Sequence, residues 1–337
     1  MHQNSAQTEY VWTLVTDDAE FPGRDGAGAL VYKDKMWLIG GWDPQDKTTN
    51  PIHSNCNNQV WTSSDGVTWA LVKPNTHLDD TFDPASDWEA RHTAGYVVYQ
   101  DKMWIVGGDP LLGHYQNDVW NSEDGASWQR VNKGADVPWG PRVLHYTAVF
   151  NDKIWVMGGQ TLTQFAPEVQ RYYSDIWNSE DGIHWEQVVP SGATWSPRGM
   201  IGGSVILNDR MWLLGGGMYQ KPSEGNHIPL NEVWSTDDGV HWECHTEEAA
   251  FPPRVYHDTA AFDGKLWVLE GGSQTEAHAR VKNCNDVWYS ADGAEWFEVP
   301  DTPWKPRHAS SVFVFQDALW MIAGNHMERD VWKLTRA

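Results

Sequence analysis

The sequence predicts an all-β, six-bladed β-propeller with four-stranded blades, closed when an N-terminal strand completes the last blade. Three observations lead there. One motif recurs six times in phase along the chain. Its parts are short apolar, β-branched and aromatic runs bounded by turn residues, as strands require. The sixth copy lacks its final strand, and a segment near the N-terminus fits the missing template. Residues 9–337 form one domain on this reading, and residues 1–8 a flexible tail.

Each copy begins with an aromatic-x-x-Arg segment such as Trp139-Gly140-Pro141-Arg142. An apolar strand follows, then a turn such as Asn151-Asp152-Lys153, then a Trp-bearing strand ending at Gly158-Gly159. After a variable loop come Ser174-Asp175-Ile176-Trp177, Ser179-Glu180-Asp181-Gly182 and Trp185. Asp-Gly marks a tight hairpin because glycine tolerates positive φ. The doublet reads Gly40-Gly41, Gly107-Gly108, Gly158-Gly159, Gly215-Gly216, Glu270-Gly271 and Ala323-Gly324. Fourth-strand tryptophans are Trp69, Trp128, Trp185, Trp242 and Trp296, and Trp12 in Trp12-Thr13-Leu14-Val15 supplies the sixth. Closure removes bare sheet edges, which invite aggregation.

The pattern Gly-Gly…Asp-x-Trp…Asp-Gly-x-x-Trp resembles kelch repeats from about Tyr10 to Arg336. Strand direction then sorts the connections. Tight first-to-second and third-to-fourth turns share one face, rich in acids such as Asp34, Asp101, Asp65 and Asp124. Long second-to-third and copy-to-copy connections share the other, with Arg24, Arg91, Arg142, Arg198, Arg254, Arg307 and most histidines. Binding residues concentrate on long, varied loops, so that face is the candidate site.

Six copies act as an internal control. A residue present in every copy is explained by the copy; a departure needs another reason. Glu270 stands where the other copies place Gly or Ala, so its carboxylate should enter the pocket or meet an arginine. It is a candidate general base. His257, Tyr256 and His145, just after the repeated arginines, are candidate proton carriers. Trp42 is the one tryptophan out of register and could stack on a ligand ring. The repeated arginines carry two readings. A guanidinium can bond carbonyls of the neighbouring blade, or Arg91, Arg142, Arg254 and Arg307 can clamp an anion. In kelch proteins resembling this chain, Arg at such positions often lines the central pocket. Asp109, His114 and His326 complete the candidate binding set. Blade four breaks the pattern with the apolar run Met200-Ile201-Gly202-Gly203.

A metal could be assembled from Asp43, His53, Asp109, His114, His227, His278 and His326, but no local ligand spacing such as His-Glu-x-x-His is present. The Glu-x-x-x-Asp-x-x-x-Cys spacing of plant nitrile-specifier kelch proteins is absent, so no metal site is assigned. The sequence requires no cofactor, and a divalent metal stays open. Cys56, Cys244 and Cys284 are expected as free thiols.

A net charge of −22 excludes a nucleic-acid partner and an anionic membrane surface. No apolar run reaches membrane-spanning length. No secretory signal is visible in the polar Met1–Glu9. A soluble monomer is expected; the compartment is left open, with bacterial cytoplasm and periplasm both compatible.

The architecture also resembles the bacterial sialic acid mutarotases (N-acetylneuraminate epimerases). That resemblance implies an acidic sugar in a central pocket, arginine on its carboxylate, and Glu or His moving protons. The first expectation is therefore an isomerase or lyase acting on a small anionic or carbohydrate-like substrate. The alternatives are a non-catalytic kelch module recognising a peptide or glycan, and a metal-dependent enzyme with a His/Asp site spanning blades. Fold alone does not choose among them.

Overall fold

The computed structural model describes residues 9–44, 55–111, 114–133, 136–161, 170–199, 204–221, 226–274 and 281–337. The molecule is an all-β propeller, with no α-helix among the described residues. Five sheets are four-stranded and antiparallel. In the first, Gly28–Tyr32, Lys35–Ile39, Val60–Ser63 and Ala70–Lys73 follow one another in sequence order. The sheets that open with Gly95–Tyr99, Tyr146–Phe150 and Asp258–Phe262 repeat it. In the fifth, Ser311–Phe315, Ala318–Ile322 and Val331–Arg336 take their outer neighbour from Tyr10–Thr16. Tyr10 pairs with Arg336 and Leu14 with Trp332. Val205–Leu207, Arg210–Lys221, Asn226–Thr236 and Glu243–Thr246 pair in the same order inside a seven-stranded sheet.

The first hairpin turns hold two consecutive residues at positive φ, as in Lys33-Asp34, Gln100-Asp101 and Asn151-Asp152. That conformation matches the twist of the flanking strands. In the second turns Asp65 Oδ1 accepts the backbone N–H groups of Val67 and Thr68, at 2.8 and 2.9 Å. Gly66 follows because a Cβ there would strike the Trp320 ring of another sheet at 2.4 Å.

The core lies between adjacent sheets. The aromatic three residues before each arginine packs edge-on against a fourth-strand tryptophan. Trp88–Trp128 centroids are 5.9 Å apart, Trp139–Trp185 5.5 Å and Phe251–Trp296 4.8 Å. Trp304 packs in this way on Trp12, at 4.4 Å, which ties the N-terminal strand to the C-terminal sheet.

Two of the long connections are not loops at first. Lys102–Leu111 with His114–Ser122, and Arg210–Lys221 with Asn226–Thr236, run on past the glycine doublet as projecting hairpins. They carry Asp109, His114, Tyr219 and His227 beyond the doublet.

Candidate functional site

The repeated arginines are buried, with 0–2% of their surface exposed. Arg142 shows the pattern. Its Nε donates to Gly140 C=O at 3.1 Å and Nη1 to Gly158 C=O at 2.9 Å. Nη1 and Nη2 then reach both oxygens of Asp175, at 2.7 and 2.9 Å. Asp175 also accepts from Trp177 Nε1 at 2.7 Å. Arg91 pairs with Asp118, Arg254 with Asp286 and Arg307 with Asp330 in the same manner. Arg198 meets Glu232, and Arg24 meets the neutral Asn57 and Gln59.

The expected clamp on a ligand carboxylate is thus a clamp on carboxylates of the chain itself. The expected bond from guanidinium to a neighbouring blade also takes a different form. Each guanidinium bonds the doublet carbonyl of its own repeat, and the arginine backbone carbonyl accepts from the preceding repeat. Gly41 N–H donates to Arg91 C=O at 2.9 Å, Gly159 to Arg198 at 2.7 Å, and Gly324 to Arg24 at 3.0 Å.

Two residues beyond each arginine the backbone turns left-handed: Gly26, Thr93, Leu144, Tyr256 and Ala309 have φ between 51 and 58°. These residues link hand to hand. Ala309 N–H donates to Tyr256 C=O, Gly26 to Ala309, Thr93 to Gly26 and Leu144 to Thr93, at 2.8–3.3 Å. The result is a girdle at the channel mouth. Met200, its counterpart by sequence, lies outside the described residues, as do Ile201-Gly202-Gly203.

A side chain as large as Tyr256 is costly at positive φ, and such strain concentrates at working sites. Its hydroxyl lies 3.1 Å from His227 Nε2. His227 stacks on Tyr219 at 4.2 Å with planes 17° apart. Across the mouth the Tyr256 ring is 5.3 Å from His308. His308 Nδ1 faces Asn283 Oδ1 at 2.8 Å, and His326 Nε2 is 3.2 Å from both Asn283 Nδ2 and Pro306 C=O. Val143, Leu144 and Tyr115 form an apolar floor beside Tyr219 and Tyr256. Burial, then the neighbouring His326 and His227, push His308 down to about 4. Burial holds the Tyr256 hydroxyl far above the ordinary tyrosine range.

Glu270 is fully buried and sits at φ 48°, in the left-handed slot that Gly40, Gly107, Gly158 and Gly215 occupy. Its carboxylate accepts Ser310 N–H at 2.9 Å and Ser310 Oγ–H at 2.5 Å, and it contacts Asp258. Burial raises both carboxyls, Asp258 the more strongly because Glu270 stands beside it. Two buried carboxyls in contact resist ionising together, because each charge disfavours the other. The alternative expected for Glu270, direct contact with an arginine, is replaced by this pair, with Arg307 acting only through its charge.

The other proton-carrier candidates are inward. His257 Nε2 faces Leu214 C=O at 2.8 Å, and His145 faces Val106 C=O. Burial, with Arg254 and Arg142 beside them, pushes both imidazoles down to about 3, so both are neutral at physiological pH.

Trp42 is half-buried in backbone bridges with Asp25 and Cys56. Asp109 is buried and exchanges backbone bonds with His92, whose Nδ1 lies 3.5 Å from Cys56 Sγ. His114 is exposed and 3.8 Å from Glu89. These three do not join the Tyr256 cluster. His53 and His278 lie outside the described residues. Among the described residues no three His, Cys, Asp or Glu side chains converge where they could hold a metal. Cys56, Cys244 and Cys284 are free thiols.

Sequence reasoning misses Asp118, Asp175, Asp286 and Asp330 as the arginines' partners, although Asp-x-Trp occurs in four of the six repeats. It also misses Asp258, Ser310 and the Tyr219–His227 stack, which no spacing announces.

Fold and site together define a propeller of repeated Arg–Asp–Trp latches with a decorated mouth. No family model matches the chain. It is similar to kelch domain-containing protein 1 of Homo sapiens, 22% identical over 82% of this chain and 56% of that protein. Beta-scruin of Limulus polyphemus is 26% identical over 85% of this chain and 29% of its own length. An N-(sulfonatooxy)prop-2-enimidothioate sulfolyase of Thlaspi arvense is 22% identical over 58% of this chain and 56% of its own. The chain spans about half or less of the length of these relatives. Together with the fold, these likenesses support a kelch-type propeller.

Proposed function

We propose that this chain is a six-bladed kelch propeller, closed by Tyr10–Thr16, that serves as a recognition module for a glycan. The Trp12–Trp304 contact and the Gly324–Arg24 hydrogen bond support the closure. The observation that carries the recognition reading is the cluster of Tyr219, His227, Tyr256 and His308 around a strained Tyr256. Half-buried rings with hydrogen-bonding edges suit the C–H faces and hydroxyls of a sugar. Asn283 and Asn325 add amide donors and acceptors beside them.

An isomerase or lyase of the mutarotase kind needs guanidinium donors and a mobile proton. Here the donors of Arg91, Arg142, Arg254 and Arg307 face Asp118, Asp175, Asp286 and Asp330. Glu270 is enclosed by Asp258 and Ser310. Both facts favour binding without turnover.

The test is a glycan array and a peptide array, each probed with wild type and with Tyr256→Gly. Glycine keeps the left-handed backbone while removing the ring. A glycan signal that falls at least tenfold in the variant is expected. Binding untouched by the substitution, a peptide ligand only, or conversion of the bound sugar overturns the proposal.

A further inference from the structure

The seam between the sheet of Asp258–Phe262 and the sheet completed by Tyr10–Thr16 holds a groove of about 500 Å³. Tyr10, Trp12 and Tyr289 supply its rings, and Glu9, Glu298 and Asp301 its charges. No lysine, arginine or histidine among the described residues lines it. Lys265 and Arg336, which adjoin Tyr10, are both ion-paired with Asp263 and lie outside the lining. The three carboxylate residues are exposed.

The groove lies where one seam departs from the pattern of the others. Ahead of five fourth strands a glycine, Gly66, Gly125, Gly182, Gly239 or Gly293, wedges under a tryptophan of the neighbouring sheet, where a Cβ would meet the ring at 2.2–2.4 Å. Its carbonyl accepts Nε1–H of the tryptophan three residues on, at 2.9–3.2 Å. Three residues before Trp12 that place falls to Glu9. Trp12 Nε1 accordingly makes no hydrogen bond among the described residues. The Tyr10 ring, not a glycine, meets the neighbouring Trp267, edge-on at 4.9 Å. The wedge has become an aromatic wall with a carboxylate at its lip.

Rings and carboxylates in one groove restrict the occupant. Aromatic-lined grooves take extended proline-rich segments, whose polyproline II form is already ordered before binding. Carboxylates beside rings select arginine or lysine, through charge complementarity and cation–π contact. Lys265 makes that second contact within the chain, its Nζ 5.4 Å from the Tyr10 centroid and 5.6 Å from that of Tyr289. A net charge of −22 also steers a cationic partner towards the molecule. We propose that this seam docks an extended, basic, proline-containing peptide segment of another protein. Its prolines lie on Tyr10 and Trp12, and its arginines or lysines meet Glu298 and Asp301. No lining residue of the groove belongs to the Tyr256 cluster, so this proposal and the glycan reading can fail separately.

The test is fluorescence anisotropy of a dye-labelled nonapeptide, a triple repeat of Pro-Pro-Arg, titrated with the full chain. Saturable one-to-one binding that weakens with added salt is expected. The double variant Glu298→Gln, Asp301→Asn should weaken it at least tenfold. The double variant Asp34→Asn, Asp101→Asn, which removes the same charge from the tight-turn face, should leave it unchanged, as should Tyr256→Gly. Peptides with alanine for arginine, or glycine for proline, should each lose at least tenfold. Absence of saturable binding overturns the proposal. So does equal weakening by the two double variants, which would mean attraction to overall charge. Equal affinity for the alanine peptide would make the groove a purely apolar slot and overturn it too. So would a dimer on size-exclusion chromatography that the Glu298→Gln, Asp301→Asn variant dissociates, since the occupant would then be a second copy of the chain.

Discussion

Arg142 and Asp175 meet through two parallel N–H···O bonds of 2.7 and 2.9 Å inside the propeller. The same carboxylate takes the Trp177 indole N–H, so one acid orients a cation and an aromatic ring at once. Such bidentate pairs are stiff and specific. They make the arginine a latch of its own repeat. Removing the acid leaves a buried guanidinium without its counter-charge, the costly case for ion pairs. Asp118→Asn should therefore destabilise the protein by about 3–5 kcal/mol in urea unfolding. Gln59→Ala, beside Arg24, removes only a neutral partner and should cost about 1–3 kcal/mol. Equal losses at the two positions would contradict the latch.

The same latches set the acid limb of stability. Burial alone would raise Asp175 and Asp286, but hydrogen bonds and charge from Arg142 and Arg254 outweigh it and hold both below the usual carboxylate range. A depressed carboxyl stabilises the fold above its unfolded pKa and loses that contribution as pH falls through the folded one. Thermal midpoints should drop steeply below about pH 4. Asp175→Asn should flatten that drop while lowering the midpoint at pH 7.

Asp258 and Glu270 work in the opposite sense. Their folded pKa values are raised, so their favourable contribution is complete in acid and fades as pH climbs from the unfolded value to the folded one. Asparagine at 258 still donates to Glu270 without ionising. The stability of Asp258→Asn relative to wild type should improve by about 1.4 kcal/mol per pH unit across that window. A pH-independent difference would show that the carboxyls do not hinder each other's ionisation.

Six repeats make strand positions and the Trp-to-Trp packing legible, because any one copy is checked by five others. Glu270 is legible as an outlier for the same reason. Its partner is not, since Asp258 belongs to a first strand whose inner residue changes from copy to copy: Gly28, Gly95 and Ser311 stand in matching places. The Arg142–Asp175 contact spans 33 residues, and perfect repetition conceals it, because a charge found in every copy looks alike whether it faces ligand or protein. Tyr219 and His227 escape notice because they sit past the glycine doublet, where the sequence varies and the hairpin has no counterpart in most repeats.

At the mouth, burial and then the nearby Glu328 push Asp25 up to about 7. A raised carboxyl favours the fold below its unfolded pKa of about 4 and loses that advantage as pH rises to 7. Asp25→Asn should thus leave the melting temperature unchanged at pH 4 and raise it at pH 8. A rise of equal size at both values would mean that packing, not ionisation, is responsible.

The N-terminal strand offers the sharpest test of closure. Tyr10–Thr16 covers the outer edge of Val331–Arg336, and Trp12 packs on Trp304. Without it the C-terminal sheet would present unpaired N–H and C=O groups along an edge, a template for other chains. A chain starting at Asp17 should be less stable and form concentration-dependent oligomers on size-exclusion chromatography. Trp12→Ala, which keeps the backbone pairing but empties the indole site, should cost about 3–5 kcal/mol and stay monodisperse. A truncated chain that melts like the parent and elutes unchanged would mean the ring closes without this strand.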